Sequence, residues 1–472
     1  MAAARPCRSH GEPARRPVDR RRGWRAGALG GGCAKDDALA RLTRQEAAWS
    51  LTEAANEPYF NLVQRYVFAP YFAGTLATSQ AQGASIWGYA LGLSGLAIAI
   101  LAPVLGSIAD SGARLKPWLA GAGALAFAAS LALWFAAPGT ALIPVAFTVI
   151  LGMVAVELMT QFSNAFLPVA ARPAQMGLLS GLSFGISQIA GMVVLLIVLA
   201  LASATPGWLA AVPHGVDRIA GPIAAVSVLL FLSPFLIVAR DRVATQRPSV
   251  RQGLDDLKAT LREAWADRNM RLFLIARMVS ADGMAIIFGF GAVLAAAMFG
   301  WKADTLARFG LVITSFGVIG GFSGGFIDGR IGSKKLTLLG LALMAFGAAS
   351  VMLTDGSRLF GIETGVPLGA PLSTPQEWGV MVGGAFIAAG AAFSIAGMRT
   401  MMAMLAPPAN VAAYFGLFAF VGKATAFVGP TLVGLMVTLT GSIRPGIALA
   451  ILFLGIAGLS LSFVRSPIRQ VD

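Results

Sequence analysis

The sequence predicts an all-α polytopic membrane protein with about twelve transmembrane helices in two six-helix halves. Three observations carry this. The 472 residues are 57% hydrophobic and only 12% charged, about half the charge of an ordinary soluble protein, and the mean hydropathy is +0.74. From Trp49 onward the chain is a series of apolar, Gly-rich runs long enough to cross a hydrocarbon layer. They are too long, and alternate too little, for barrel strands. Finally, two stretches resemble each other at matching places in the two halves. The same figures exclude a disulfide-framed mini-protein, which two Cys cannot build, a wholly disordered chain and an ordinary cytosolic enzyme.

The elements follow in order. Residues 1–46 hold eleven Lys or Arg before Glu46, interleaved with Pro, Gly and Ala. They read as a disordered cytoplasmic tail without an apolar signal region. The net charge of +14 is concentrated there and in loops, so nucleic acid is not the expected partner. Helices are expected at about 48–76, 84–109, 117–136, 141–167, 177–202, 220–239, 272–299, 306–328, 334–354, 378–404, 411–440 and 443–464. They are called spans 1 to 12. Residues 47–240 form the first half and 272–472 the second. Between them, residues 241–271 carry Leu254, Leu257, Leu261 and Trp265 at helical spacing among charges, an amphipathic helix on the cytoplasmic face.

Hydropathy alone would reject span 1, which reads Thr52-Glu53-Ala54-Ala55-Asn56-Glu57-Pro58. Topology restores it. With twelve spans and a cytoplasmic N-terminus, the inside segments hold Arg114, Lys116, Arg172, the basic linker, Arg330, Lys334, Lys335, Arg465 and Arg469. The outside holds Arg218, Lys302, Arg308, Arg358 and Arg444. That bias puts both termini in the cytoplasm, in a plasma (inner) membrane or an endomembrane.

The internal likeness is clearest in two loops. Gly106 and Asp110 after span 2 match Gly324 and Asp328 after span 8 at one offset, with Arg114 and Lys116 following in the first loop and Arg330, Lys334 and Lys335 in the second. Each pairs one Asp with basic residues across glycines, a contact that can be made and broken as a gate; positive-inside anchoring alone is the simpler reading. A second offset carries Gly181 onto Gly416, Gln188 onto Lys423 and Asn164 onto Arg399. Such repeats mark transporters that rock about a central site. The GxxxG runs Gly88/Gly92, Gly177/Gly181/Gly185 and Gly317/Gly321/Gly325 are expected to pack helices closely.

These loops resemble the signature of the major facilitator superfamily. A narrower likeness rests on Asn56-Glu57-Pro58, Phe68-Ala69-Pro70-Tyr71-Phe72, Asn164-Ala165-Phe166-Leu167-Pro168, Asp282-Gly283, Arg399-Thr400, Gly422-Lys423 and Gly429-Pro430. Together they resemble the branch that includes the fungal vacuolar amino-acid effluxer linked to autophagy. Where that branch has Asp-Trp-Ala-Asn-Ser, this chain has Glu53 to Glu57, which keeps the carboxylate and loses the Trp. The resemblance implies a secondary transporter of amino acids or similar zwitterions.

Ionisable residues inside spans are costly and ask for a use. The substrate or proton pathway is expected to be built from Glu53, Asn56, Glu57, Asn61 and Arg65 of span 1, Glu157 and Asn164 of span 4, Gln188 of span 5, Asp282 of span 7, Arg399 of span 10 and Lys423 of span 11. The first half contributes mostly acids and the second mostly bases. A cavity between them would suit a zwitterion; the alternative is that these charges pair with one another as bridges. Neither a nucleophile–base set nor a metal cluster is apparent, His10 and His214 lying outside the spans, so no cofactor and no enzymatic activity are expected. The function read is secondary active transport of a small polar solute by alternating access, coupled to protons or sodium. The alternative is a receptor or scaffold that keeps the fold without transport.

Overall fold

A computed structural model of the chain describes residues 42–110, 114–170, 176–241, 250–407 and 411–465. The basic tail and the loop residues between these ranges lie outside the described residues, and so does the side chain of Asp110. Among the described residues, eleven helices are long and apolar enough to cross a membrane. Spans 2 to 6 are Gln80–Asp110, Lys116–Ala132, Leu142–Ala170, Met176–Ala204 and Ala220–Val238. Spans 7 to 10 are Arg268–Phe299, Ala303–Ile331, Ser333–Met352 and Pro375–Leu405, and span 12 is Arg444–Ser462. The amphipathic linker helix forms as Val250–Ala266. One end of the bundle carries Arg114, Lys116, Lys334 and Lys335 and is called the basic end. The other carries a two-stranded antiparallel hairpin, β1 (Arg358–Leu359) and β2 (Ile362–Glu363), and is called the hairpin end.

Two spans depart from continuous helix. Span 1 is a relay of short pieces: a 3₁₀ turn at Glu53–Ala55, a π-helix at Tyr59–Tyr66, an α-turn at Phe68–Tyr71 and a second π-helical stretch at Phe72–Leu76. Pro58 lacks an N–H and removes one ladder bond, and the Val67 amide reaches five residues back to the Leu62 carbonyl at 3.2 Å. The broken span still runs the length of the bundle because span 4 supplies its partners. The Trp49 indole donates to the Ser163 carbonyl at 2.9 Å, Asn56 to Thr160 Oγ1 at 2.9 Å and the Tyr59 hydroxyl to the Val149 carbonyl at 3.0 Å. At the hairpin end, Tyr71 donates to the Ala136 carbonyl at 2.8 Å. Span 11 is likewise split, into Val411–Ala424 and Val428–Thr440, with the break just after Lys423.

The halves meet at the hairpin end. A Cβ on Gly88 would stand 2.8 Å from Gly434 Cα and from the Pro430 carbonyl, and one on Gly95 2.9 Å from the Phe427 amide. Spans 2 and 11 can approach that closely only with glycine there. The Trp87 indole crosses to the Gly289 carbonyl of span 7 at 3.2 Å. Tyr66 of span 1 meets Phe309 of span 8 edge-on, 6.2 Å between centroids. In span 8 the expected glycine face is displaced by one residue or more. A Cβ on Gly317 or Gly321 would meet nothing within 4 Å among the described residues, whereas one on Gly320 or Gly324 would meet Ala389 or Phe393 of span 10. Gly185 of span 5 is open as well.

Outside the spans, Asp355 ties the hairpin to span 12. The Ser357 and Arg358 amides and the Ser357 hydroxyl each donate to its Oδ1 at 2.9 Å, and Arg444 lies 3.5 Å from Oδ2. The Ser357 amide above all holds this carboxyl below the usual carboxylate range.

Gly88→Ala is expected to destabilise the protein by about 1–3 kcal/mol through overpacking. Gly121→Ala, at a glycine with nothing within 4 Å, should be neutral. Denaturant unfolding in detergent compares the two, and equal midpoints would remove the close approach of spans 2 and 11 as a source of stability.

Candidate functional site

The site is built on the broken span 1 and the faces opposite it. Nearest the basic end, Glu53 lines a small pocket of about 20 Å³ with Thr52, Asn56, Thr160, Asn164 and Ser183. Thr52 and Ser163 hydroxyls bond at 2.5 Å beside it. Glu53 is half-buried, while Asn164 on span 4 and Arg399 on span 10 are exposed. Arg399 lies within electrostatic reach of Glu53 in the other half and of Arg277 on its own side. The pocket at Glu53 is lined by residues of the first half, and Arg399 reaches it from the second through space.

Deeper along span 1, Arg65 closes a local set. Its Nη1 donates to Asn61 Oδ1 at 3.0 Å and stands 3.2 Å from Glu57 Oε1. The guanidinium also lies over the Phe60 ring and over Phe288 of span 7, at 5.7 and 5.4 Å. Asn61 is buried and its Nδ2 has no partner among the described residues; the same holds for Asn56 Oδ1. Span 5 passes this cluster at Gly191, where a Cβ would meet Glu57 and Asn61. Gln188, three residues earlier, is half-buried.

Between the halves, Lys423 Nζ bonds Glu157 Oε2, joining span 11 to span 4. Among the described residues it is the ion pair that links the two halves. Lys423 stands at the end of the first segment of span 11, held there by the break that follows. Arg277 flanks it. Its guanidinium lies 4.7 Å from the Phe418 centroid and close to Gly422, and its Nε is buried without a partner among the described residues.

Several expectations need correction. Acidic and basic walls do not stand free of each other, because Glu157 is already paired with Lys423 and Glu57 with Arg65. Asp282 does not face an open space. It is 4% exposed, and its Oδ1 accepts from the Gly429 amide at 3.4 Å, so it serves the start of the second segment of span 11, where a carboxylate favours the helix N-terminus. Asp328 is also buried, with Oδ1 unpartnered among the described residues. Arg330 does not pair with it but lies over Phe326 at 3.9 Å. Arg114 is exposed. Thr160 and Ser183 were not anticipated; Thr160 was detectable, three residues after Glu157 and four before Asn164 on one helical stripe.

Against known proteins, the sequence matches the family described as "Vacuole effluxer Atg22 like" over residues 70–177 and 175–467. The chain belongs to this Atg22-like family. Among curated relatives, Autophagy-related protein 22-2 of Aspergillus clavatus is 28% identical over 238 residues, covering 46% of this chain and 37% of that protein. The alignment thus spans little more than a third of that relative's own length. Among solved structures, a D-xylose-proton symporter superposes with TM-score 0.65 at 14% identity, covering 89% of this chain and 96% of that one. The nucleoside transporter NupG gives 0.64 at 13%, covering 89% and 98%. At such identity these two show the fold alone, which is the major facilitator fold. The Atg22-like chain is an integral, multi-pass membrane protein.

The bridge between halves has a direct test. A double-mutant cycle with Glu157→Gln and Lys423→Met, read by denaturant unfolding, is expected to give a coupling of about 0.5–3 kcal/mol. A coupling of zero would mean that the two side chains do not depend on each other.

Proposed function

We propose that this Atg22-like chain is a secondary active transporter of amino acids or similar zwitterions, working by alternating access. The observation that carries the reading is that Arg399 of one half lies within electrostatic reach of Glu53 on the other, beside the exposed Asn164. A zwitterion placed there would give its ammonium to the carboxylate and its carboxylate to the guanidinium. The broken spans 1 and 11 support it, since discontinuous helices commonly frame transporter sites. The name of the family, vacuole effluxer, is consistent with a small solute.

Asn56, Glu57, Asn61, Arg65 and Gln188 form the supporting polar path, and Glu157–Lys423 is a bridge to be broken and remade in each cycle. Coupling is assigned to protonation of Glu53, with sodium as the other candidate ion. The loops that carry Asp110 and Arg114, and Asp328 and Arg330, are the proposed gates at the basic end, which the positive-inside bias assigns to the cytoplasm with both termini.

Two experiments check this. Purified protein in liposomes is expected to accumulate labelled amino acids under an imposed pH gradient, and Glu53→Gln to lose most gradient-driven accumulation while keeping exchange. Accumulation that ignores the gradient, or full accumulation by Glu53→Gln, would remove Glu53 as the coupling site; a protein that moves no amino acid is a receptor or scaffold instead. Single cysteines replacing Arg330 and Arg358 should label from opposite faces of the membrane, and labelling from one face would sink the proposed topology.

A further inference from the structure

At the hairpin end, away from the site above, a cavity of about 590 Å³ opens between the ends of spans 1, 5 and 7 and the starts of spans 2 and 8. Its walls carry Gln80, Asp217, Lys302 and Asp304, with the rings of Tyr71 and Trp301. Both signs of charge are therefore present. Asp217 shares a contact with His214 at 3.1 Å and Asp304 stands 4.0 Å from Arg308. Lys302 is exposed and has no ion pair within 4 Å among the described residues, although Asp217 lies within its electrostatic reach. The Gln80 Nε2 is buried and has no hydrogen-bond partner among the described residues.

The two aromatic residues of the lining are nearly buried, Tyr71 at 3% and Trp301 at 4% exposed, and their polar tips are spent. Tyr71 spends its hydroxyl on the Ala136 carbonyl, and its ring stands 5.4 Å from the His214 imidazole. Trp301 gives its indole N–H to Glu377 at 2.8 Å. An unpaired ammonium and an orphan amide N–H are donors suited to a carboxylate. Two carboxylates close by can accept from an ammonium. Beneath the cavity, Trp301 packs on Phe309 at 5.5 Å and Phe309 on Tyr66 at 6.2 Å. This aromatic stack closes the halves, so an occupant would rest directly on the closure.

We infer that this vestibule is a second binding site for the zwitterionic solute, with Lys302 and Gln80 receiving its carboxylate and Asp217 and Asp304 its ammonium. The inference rests on the zwitterion reading above. It adds a station at the mouth of the closed end, where solute waits before the halves part or lingers after release.

The test is equilibrium dialysis of the full chain in lipid nanodiscs against labelled glycine, L-leucine, L-lysine, L-glutamate and L-tyrosine. The wild type is expected to bind two molecules of its preferred amino acid. Lys302→Glu should bind one, with affinity at the vestibule at least tenfold weaker, and Gln80→Leu should weaken the same site. Arg399→Ala should also bind one, the vestibular molecule. In that variant, for an L-leucine binder, isoamylamine and 4-methylpentanoate, each lacking one charge, should compete at least tenfold more weakly than L-leucine. If Arg399→Ala abolishes all binding while Lys302→Glu and Gln80→Leu change nothing, the vestibule falls and the zwitterion reading stands. If Lys302→Glu removes one molecule and Arg399→Ala none, the vestibule stands and the Glu53–Arg399 site falls. No binding of any of the five overturns both.

Discussion

The contact between Glu157 and Lys423 is the constraint around which the rest is arranged. Two opposite charges set inside a membrane protein are costly alone and tolerable only together. For Lys423 to reach span 4, span 11 must present it at the lip of its break, and that break must itself be satisfied. Asp282 accepts from Gly429 at the start of the second segment, and glycines at 422 and 429 let Arg277 and the backbone of span 7 come close. Span 4 carries the other side of the load. The same helix that offers Glu157 supplies Val149, Thr160 and Ser163 to the polar groups of span 1. It therefore holds a segment too polar and too broken to stand in lipid alone.

Much of this was legible in the sequence. Spans 2 to 10 and 12 are long, apolar and bounded by charge, and their ends fall within a few residues of expectation. The amphipathic linker helix was readable from Leu254, Leu257, Leu261 and Trp265. Span 1 was visible only through topology, because its residues answer to span 4 and not to the bilayer. What sequence could not give was pairing. Spacing places Glu57, Asn61 and Arg65 on one face of a helix, yet nothing in it says that Arg65 turns to both while Lys423 leaves its own half for Glu157. Asp282 misled for a similar reason: an acid in a span reads as lining a cavity, and here it caps a helix segment that periodicity runs straight through. The glycine face of span 8 slipped because overlapping GxxxG registers are present and packing against span 10 selects Gly320 and Gly324.

The two ends of the bundle are held by different forces. At the hairpin end the halves are joined by glycine-to-backbone approach and aromatic contact, interactions that are short-ranged and lost within a small separation. At the basic end, polar side chains remain open, Asn164 and Arg399 among them. In the proposed cycle, closing the basic end would draw Arg399 and Glu53 out of water. That step is expensive if they are left apart and less so if something bridges them. A bound zwitterion is such a bridge, since it brings one charge for each. The empty protein would then be held back by desolvation, and the loaded one released, with the hairpin-end contacts setting how much of that difference is needed to part the halves. On this argument coupling is the avoidance of an unpaired buried charge, and protonation of Glu53 would serve the same end by removing one of the two charges to be matched.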